Sequence, residues 1–67
     1  MNKTIINEWL KEMYTDAIKD AKGTIANERL WLNGSTTPEE IASHTGNIEL
    51  QEEYIALLEE KIKELAA

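Results

Sequence analysis

The chain of 67 residues contains no cysteine, one proline and three glycines. Without cysteine it can form neither a disulfide framework nor a cysteine-based metal or redox site. No apolar run approaches the ~20 residues that a membrane span needs. The polar residues 1–7 include too short an apolar stretch for a signal peptide. We therefore expect a soluble, cytoplasmic protein that does not engage membranes.

The small size of the chain is the next constraint. About 60 residues bury only ~60% of the surface that the unfolded chain exposes, so such a domain is marginally stable alone. The apolar fraction of 42% is nevertheless high enough for folding. Without disulfides or a metal, well-packed helices or oligomerisation must supply the stability.

A single turn divides the chain into two helical segments. Gly34 follows Asn33 as a helix C-terminal signal, and Thr37 before Pro38 reads as an N-cap, with Glu40 completing a capping box. We predict an all-α, antiparallel two-helix hairpin that forms one domain over residues 1–67. Its elements would be a helix over 4–33, a turn over 34–37 and a helix over 38–66.

Apolar residues recur at helical spacing in both segments. In the second segment Ile41, Ile48, Ile55 and Ile62 lie seven apart, which is typical of a heptad seam. His44 lies on the polar part of that seam near the turn, where a buried polar group can fix register. The predicted core comprises Ile6, Leu10, Met13, Ala17, Ile25, Leu32, Ile41, Ile48, Ile55, Leu58, Ile62 and Leu65.

Gly23 and Gly46 interrupt the two segments, but the apolar pattern continues across both. We therefore predict that both are internal to helices, each costing ~1 kcal/mol relative to alanine. In the folded hairpin they would lie at one height, where they would let the helices approach closely. Kinks at that height are the alternative.

The apolar faces are broader than one stripe per helix. Leu50, Tyr54 and Leu57 accompany the isoleucine seam. Leu30 and Trp31 belong to the run of three consecutive apolar residues 30–32, which cannot all face one partner helix. Surplus apolar surface on a hairpin predicts a second hairpin, and hence a homodimeric four-helix bundle.

Negative charge is concentrated on the second segment. Residues 2–33 carry five basic and five acidic side chains, whereas residues 38–67 carry two lysines and eight glutamates. The acidic outer face is either a solvated surface or a docking face for a basic protein partner. With the tryptophan region, it gives the candidate interaction residues Leu30, Trp31, Glu49, Glu52, Glu53, Tyr54 and Leu57.

Catalytic and cofactor patterns are absent from the sequence. The only histidine, His44, has Glu40 four residues before it, which does not match the Glu-x-x-His spacing of carboxylate-bridged metal sites. No nucleophile–base–orienter set and no glycine-rich phosphate loop is present. We expect no enzyme activity, no catalytic residue, no bound metal and no cofactor.

Residues 37–46 resemble the first half of a helix-turn-helix unit, with Ala42 and Gly46 at the matching spacing. Asn47 departs from that family, which has an apolar residue directly after the glycine. The segment that would read DNA, residues 49–54, is acidic and would be repelled by phosphates. Direct nucleic-acid binding is therefore not expected, and a DNA-binding regulator remains an alternative.

Residues 27–31, the glycine–serine turn and residues 47–55 resemble small uncharacterised helical proteins of Gram-positive bacteria and their phages. The resemblance covers about half of the chain and implies no known activity. The favoured function is a non-enzymatic accessory protein that acts through self-association and protein–protein interaction. The second alternative is an inhibitor that mimics nucleic acid and occupies a basic groove on an enzyme.

Overall fold

The computed structural model describes residues 2–66, which form two α-helices and no strand. Helix α1 spans Lys3–Gly34 and helix α2 spans Pro38–Ala66. Thr4 and Leu65 line one groove at the open end, and Glu28 contacts His44 near the turn. The helices are therefore antiparallel neighbours over their length, in a rod whose Cα atoms extend over 54 × 15 × 13 Å. This confirms the all-helical hairpin.

Polar side chains define the helix ends. The Asn2 side chain accepts a hydrogen bond from the Ile5 backbone N–H at 3.2 Å, so α1 begins one residue before the predicted start. Thr37 Oγ1 accepts from the Glu40 backbone N–H at 3.2 Å, which confirms Thr37 as the N-cap of α2. At the end of α1, the Ser35 hydroxyl donates to the Trp31 carbonyl at 2.8 Å.

The core consists of one stripe from each helix. Its most buried members are Ala21 and Ile25 of α1 and Ile48 and Leu58 of α2, each 3–8% exposed. The partly buried side chains continue the stripes toward both ends, and they include Asn7, Leu10, Tyr14, Ala17, Ile18, Glu28, Leu32, His44, Gln51, Ile55, Ile62 and Leu65. The α2 seam is therefore confirmed from Ile48 to Leu65.

Three predicted core residues lie outside the core. Ile6, Met13 and Ile41 are 37%, 61% and 44% exposed, so their assignment was wrong. On α1 the packing face runs through Tyr14 and Ala21, and Met13 points about 100° away from Tyr14. Ile41 lies too close to the turn to be covered by α1.

Both helices continue through their internal glycines, as predicted. The predicted close approach of the helices at Gly23 and Gly46 was wrong, because a Cβ atom added at either position would meet nothing within 4 Å. The unbroken course of α2 through Gly46 also removes the turn that a helix-turn-helix unit requires. The resemblance of residues 37–46 to a helix-turn-helix unit therefore does not extend to its geometry.

Candidate interaction surfaces

A polar cluster joins the two helices near the turn. Nδ1 of His44 lies 2.6 Å from Oε2 of Glu28, and the Asn47 side-chain amide donates to the same oxygen at 3.4 Å. The His44 ring stacks on Trp31, with ring centroids 6.5 Å apart and planes inclined by 12°. A carboxylate only accepts hydrogen bonds, so Nδ1 carries the proton in this contact.

The cluster changes the acidity of its carboxyl group. The hydrogen bond from His44 holds the pKa of Glu28 below its ordinary value, and the Asn47 hydrogen bond adds to this effect against the opposing influence of partial burial. Both partners are largely covered, with side-chain exposures of 18% for Glu28 and 23% for His44. The pair sits at seam positions of both helices and therefore fixes their register.

One side of the hairpin is a groove lined by charged residues of both helices above two seam isoleucines. Its lining consists of Lys22, Ile25, Arg29, Glu52, Ile55 and Glu59. None of these charged groups forms an ion pair within residues 2–66, where the ion pairs are Glu28–His44 and Lys61–Glu64. We call this surface the charged groove.

The opposite side of the hairpin is apolar. Helix geometry, with about 100° between successive residues, places Met13 and Tyr54 across the seam from the charged groove. Most of their large neighbours on the same helix faces are also exposed hydrophobic residues, and the charged residues Asp20 and Lys61 lie there too. We call this surface the apolar side, and its members are Ile6, Trp9, Met13, Trp31, Leu50, Tyr54 and Leu57.

The apolar candidate residues from the sequence are all exposed, but they fall into two places. Tyr54 and Leu57 lie in the middle of the apolar side, whereas Leu30 and Trp31 lie near the turn. Trp31 faces the apolar side, and Leu30 points directly away from α2. The structure therefore does not bring Leu30 together with the others.

The three acidic candidates lie on adjoining faces of α2. Glu52 lines the charged groove, and Glu49 and Glu53 point away from α1 on the outer face of α2. All three are exposed. Together they form an acidic strip that continues from the groove onto the outer surface of α2.

Sequence reasoning missed the contribution of α1 to the apolar side. Ile6 and Met13 lie seven residues apart and were assigned to the core because isoleucine and methionine at that spacing fit a seam. The available signal was the competing pair Asn7 and Tyr14, one residue later at the same spacing. Two adjacent stripes can satisfy one periodicity, and only the packed hairpin shows which stripe faces α2.

No helix within residues 2–66 combines the length and the apolar character needed to cross a bilayer. The same part of the chain holds no group of three or more His, Cys, Asp or Glu side chains arranged to bind a metal ion. Comparison of the chain with protein families, curated proteins and solved structures found no match.

Proposed function

We propose that this chain is a non-enzymatic helical protein that acts by binding other proteins, beginning with a second copy of itself. Two hairpins would then form a four-helix bundle. The observation that carries the proposal is the amount of surface that a single hairpin leaves in contact with water.

The hairpin exposes 5388 Å² of surface. A compact monomer of the same mass exposes about 4,300 Å², so this chain exposes an excess of about 1,100 Å². A stable dimer of ordinary size covers about 800 Å² on each partner. The excess is therefore sufficient for a dimer interface, and the apolar side supplies hydrophobic residues for it.

The test is the dependence of thermal unfolding on protein concentration. When folding and association are coupled, the midpoint rises with concentration because association is favoured by mass action. For a chain of this size we expect a rise of roughly 10 °C over a hundred-fold increase in concentration. A midpoint that does not move over that range would contradict self-association.

We further propose that the acidic strip of Glu49, Glu52 and Glu53 binds a basic protein partner. All three carboxylates are exposed and form no ion pair within residues 2–66. Such a strip attracts a basic surface by long-range electrostatics, and it could occupy a groove that otherwise holds nucleic acid. The resemblance of residues 27–31 and 47–55 to small uncharacterised proteins of Gram-positive bacteria and their phages supports proposing this activity for an accessory protein of a phage or mobile element.

Charge reversal separates a binding strip from simple solvation. We would change Glu49, Glu52 and Glu53 to lysine and measure retention on a polylysine surface. The matched control changes Glu8, Glu12 and Asp16 of α1, which alters the net charge equally. Loss of retention in the α2 variant, with the α1 variant still retained, supports the strip. Equal loss in both variants means that only net charge matters.

A further inference from the structure

We infer that the apolar side is covered by a second copy of this chain, with the two α2 helices antiparallel about a two-fold axis near Tyr54. The inference rests on the proposed self-association and adds the surface and the orientation. It follows from where apolar side chains lie on the two sides of the hairpin and from their spacing along each helix.

The choice of side follows from charge. Pairing through the charged groove would bury Lys22, Arg29, Glu52 and Glu59 of each copy, and removing such groups from water is costly. The apolar side offers hydrophobic side chains whose burial is favourable by about 25 cal/mol for each Å². The second copy therefore covers the apolar side and leaves the charged groove in water.

The orientation follows from the spacing of the α2 stripe. Leu50 and Leu57 lie four and three residues on either side of Tyr54. In a two-fold interface each residue contacts the symmetry-related patch on the other copy. An antiparallel pairing centred near Tyr54 places Leu50 against Leu57 of the second copy, so that apolar groups meet apolar groups.

The α1 residues fit the same axis. Because Glu28 contacts His44, Tyr54 lies level with about Ile18 of α1. Ile6 and Trp31 lie twelve and thirteen residues from Ile18 in opposite directions. The axis therefore brings Ile6 of one copy to the height of Trp31 of the other. Both residues lie on the apolar side, so at each end of the dimer a hydrophobic residue of one copy faces a hydrophobic residue of the other.

Two charged residues lie on the apolar side: Lys61 follows Tyr54 by seven residues on the α2 stripe, and Asp20 lies on α1. Asp20 opposes the pairing. It lies two residues from the height of the axis and is exposed in the hairpin. The same residue of the second copy would come close to it, and like charges across an interface repel. The inferred dimer is therefore moderate in affinity rather than obligate, and its strength depends on salt.

Cysteine cross-linking tests the position of the axis, since the chain has no cysteine of its own. A disulfide requires Cα atoms about 4.4–6.8 Å apart, so Tyr54→Cys is expected to form a disulfide-linked dimer. Ala56→Cys is the matched control, because Ala56 points away from the apolar side. We expect dimer formation to be about ten-fold or more faster for Tyr54→Cys than for Ala56→Cys. Equal rates would overturn the inference.

A mixture of Leu50→Cys and Leu57→Cys chains tests the orientation. Antiparallel pairing predicts that the mixed disulfide between the two variants exceeds either self-linked dimer. A predominance of self-linked dimers of both variants would show parallel α2 helices and would overturn the inferred orientation.

A charge substitution tests the surface without cross-linking. Leu57→Glu is expected to halve the mass measured by sedimentation, while helical circular dichroism persists because Leu57 is 59% exposed in the hairpin. Ala56→Glu adds the same charge and should leave the mass unchanged. If the unmodified chain is dimeric and Leu57→Glu remains so, the inferred surface is wrong although self-association stands. If the unmodified chain is monomeric throughout, both proposals fail.

Discussion

The imidazole of His44 and the carboxylate of Glu28 meet at 2.6 Å, and this contact joins α2 to α1 two turns from the connecting loop. Both residues occupy seam positions that hydrophobic residues fill elsewhere in the hairpin. An antiparallel helix pair can slide by one heptad with little loss of apolar contact, but a displaced Glu28 would lose both His44 and Asn47. The polar cluster therefore specifies which heptads pair.

The Glu28 contact makes stability sensitive to acid. The pKa of Glu28 is lower in the folded hairpin than in the unfolded chain, so its stabilising contribution is fully present above the ordinary glutamate value of about 4.3. That contribution is lost as the pH falls through the lower folded value. We expect the melting temperature of the unmodified chain to exceed that of Glu28→Gln at pH 7, and the difference to shrink below about pH 4. A difference independent of pH would contradict this assignment.

The internal glycines offer a gain in stability. Gly23 and Gly46 are helical, and an added Cβ atom would meet nothing within 4 Å at either position. Each substitution to alanine should stabilise the hairpin by about 1 kcal/mol, measured by urea unfolding. Gly34→Ala is the control, because Gly34 is the last residue of α1 and its substitution should gain less. Destabilisation by Gly46→Ala would show a contact with another molecule at that face.

The core assignment predicts a contrast between two residues of α1. Ile25 is 7% exposed and Leu30 is 70% exposed. Ile25→Ala should lower the free energy of unfolding by about 2–4 kcal/mol, because it removes packed methyl groups and leaves a cavity. Leu30→Ala should change it by less than about 0.5 kcal/mol. Similar losses for both variants in chemical denaturation would mean that Leu30 is also buried in solution.

Removing the charge of Asp20, on the apolar side, is expected to strengthen self-association rather than weaken it. Asp20→Asn removes like-charge repulsion near the inferred two-fold axis and should strengthen the dimer several-fold at low salt. The gain should diminish at about 1 M salt, where the Debye length is about 3 Å. Glu12→Gln, an equal change on the outward face of α1, is the control. A weaker dimer from Asp20→Asn in sedimentation equilibrium would place Asp20 in a favourable contact instead.

Much of the fold was predictable because local signals agreed with one another. The capping residue Thr37 and the isoleucines at heptad spacing each indicate a helical hairpin, and the structure places the N-cap and the buried Ile48 where these signals predict. The prediction for Ile41 failed because a seam residue next to a turn has little of the opposite helix to cover it.

The surfaces were less predictable than the fold. The heptad spacing of Ile6 and Met13 matches that of Asn7 and Tyr14, so periodicity alone does not choose the packing stripe. The choice depends on which pair of stripes fills the space between the helices. That is a property of both helices together and not of either one alone. Folding the chain back at the turn places Glu28 in the neighbourhood of His44, but the hydrogen bond between them depends on the register of the folded hairpin.

Light scattering of the unmodified chain over a range of concentrations tests the central claim most directly. The excess exposed surface and the apolar side predict a mass of twice 7.6 kDa at high concentration, falling toward 7.6 kDa on dilution. A constant mass of 7.6 kDa at all concentrations would contradict self-association and would leave the apolar side exposed in solution.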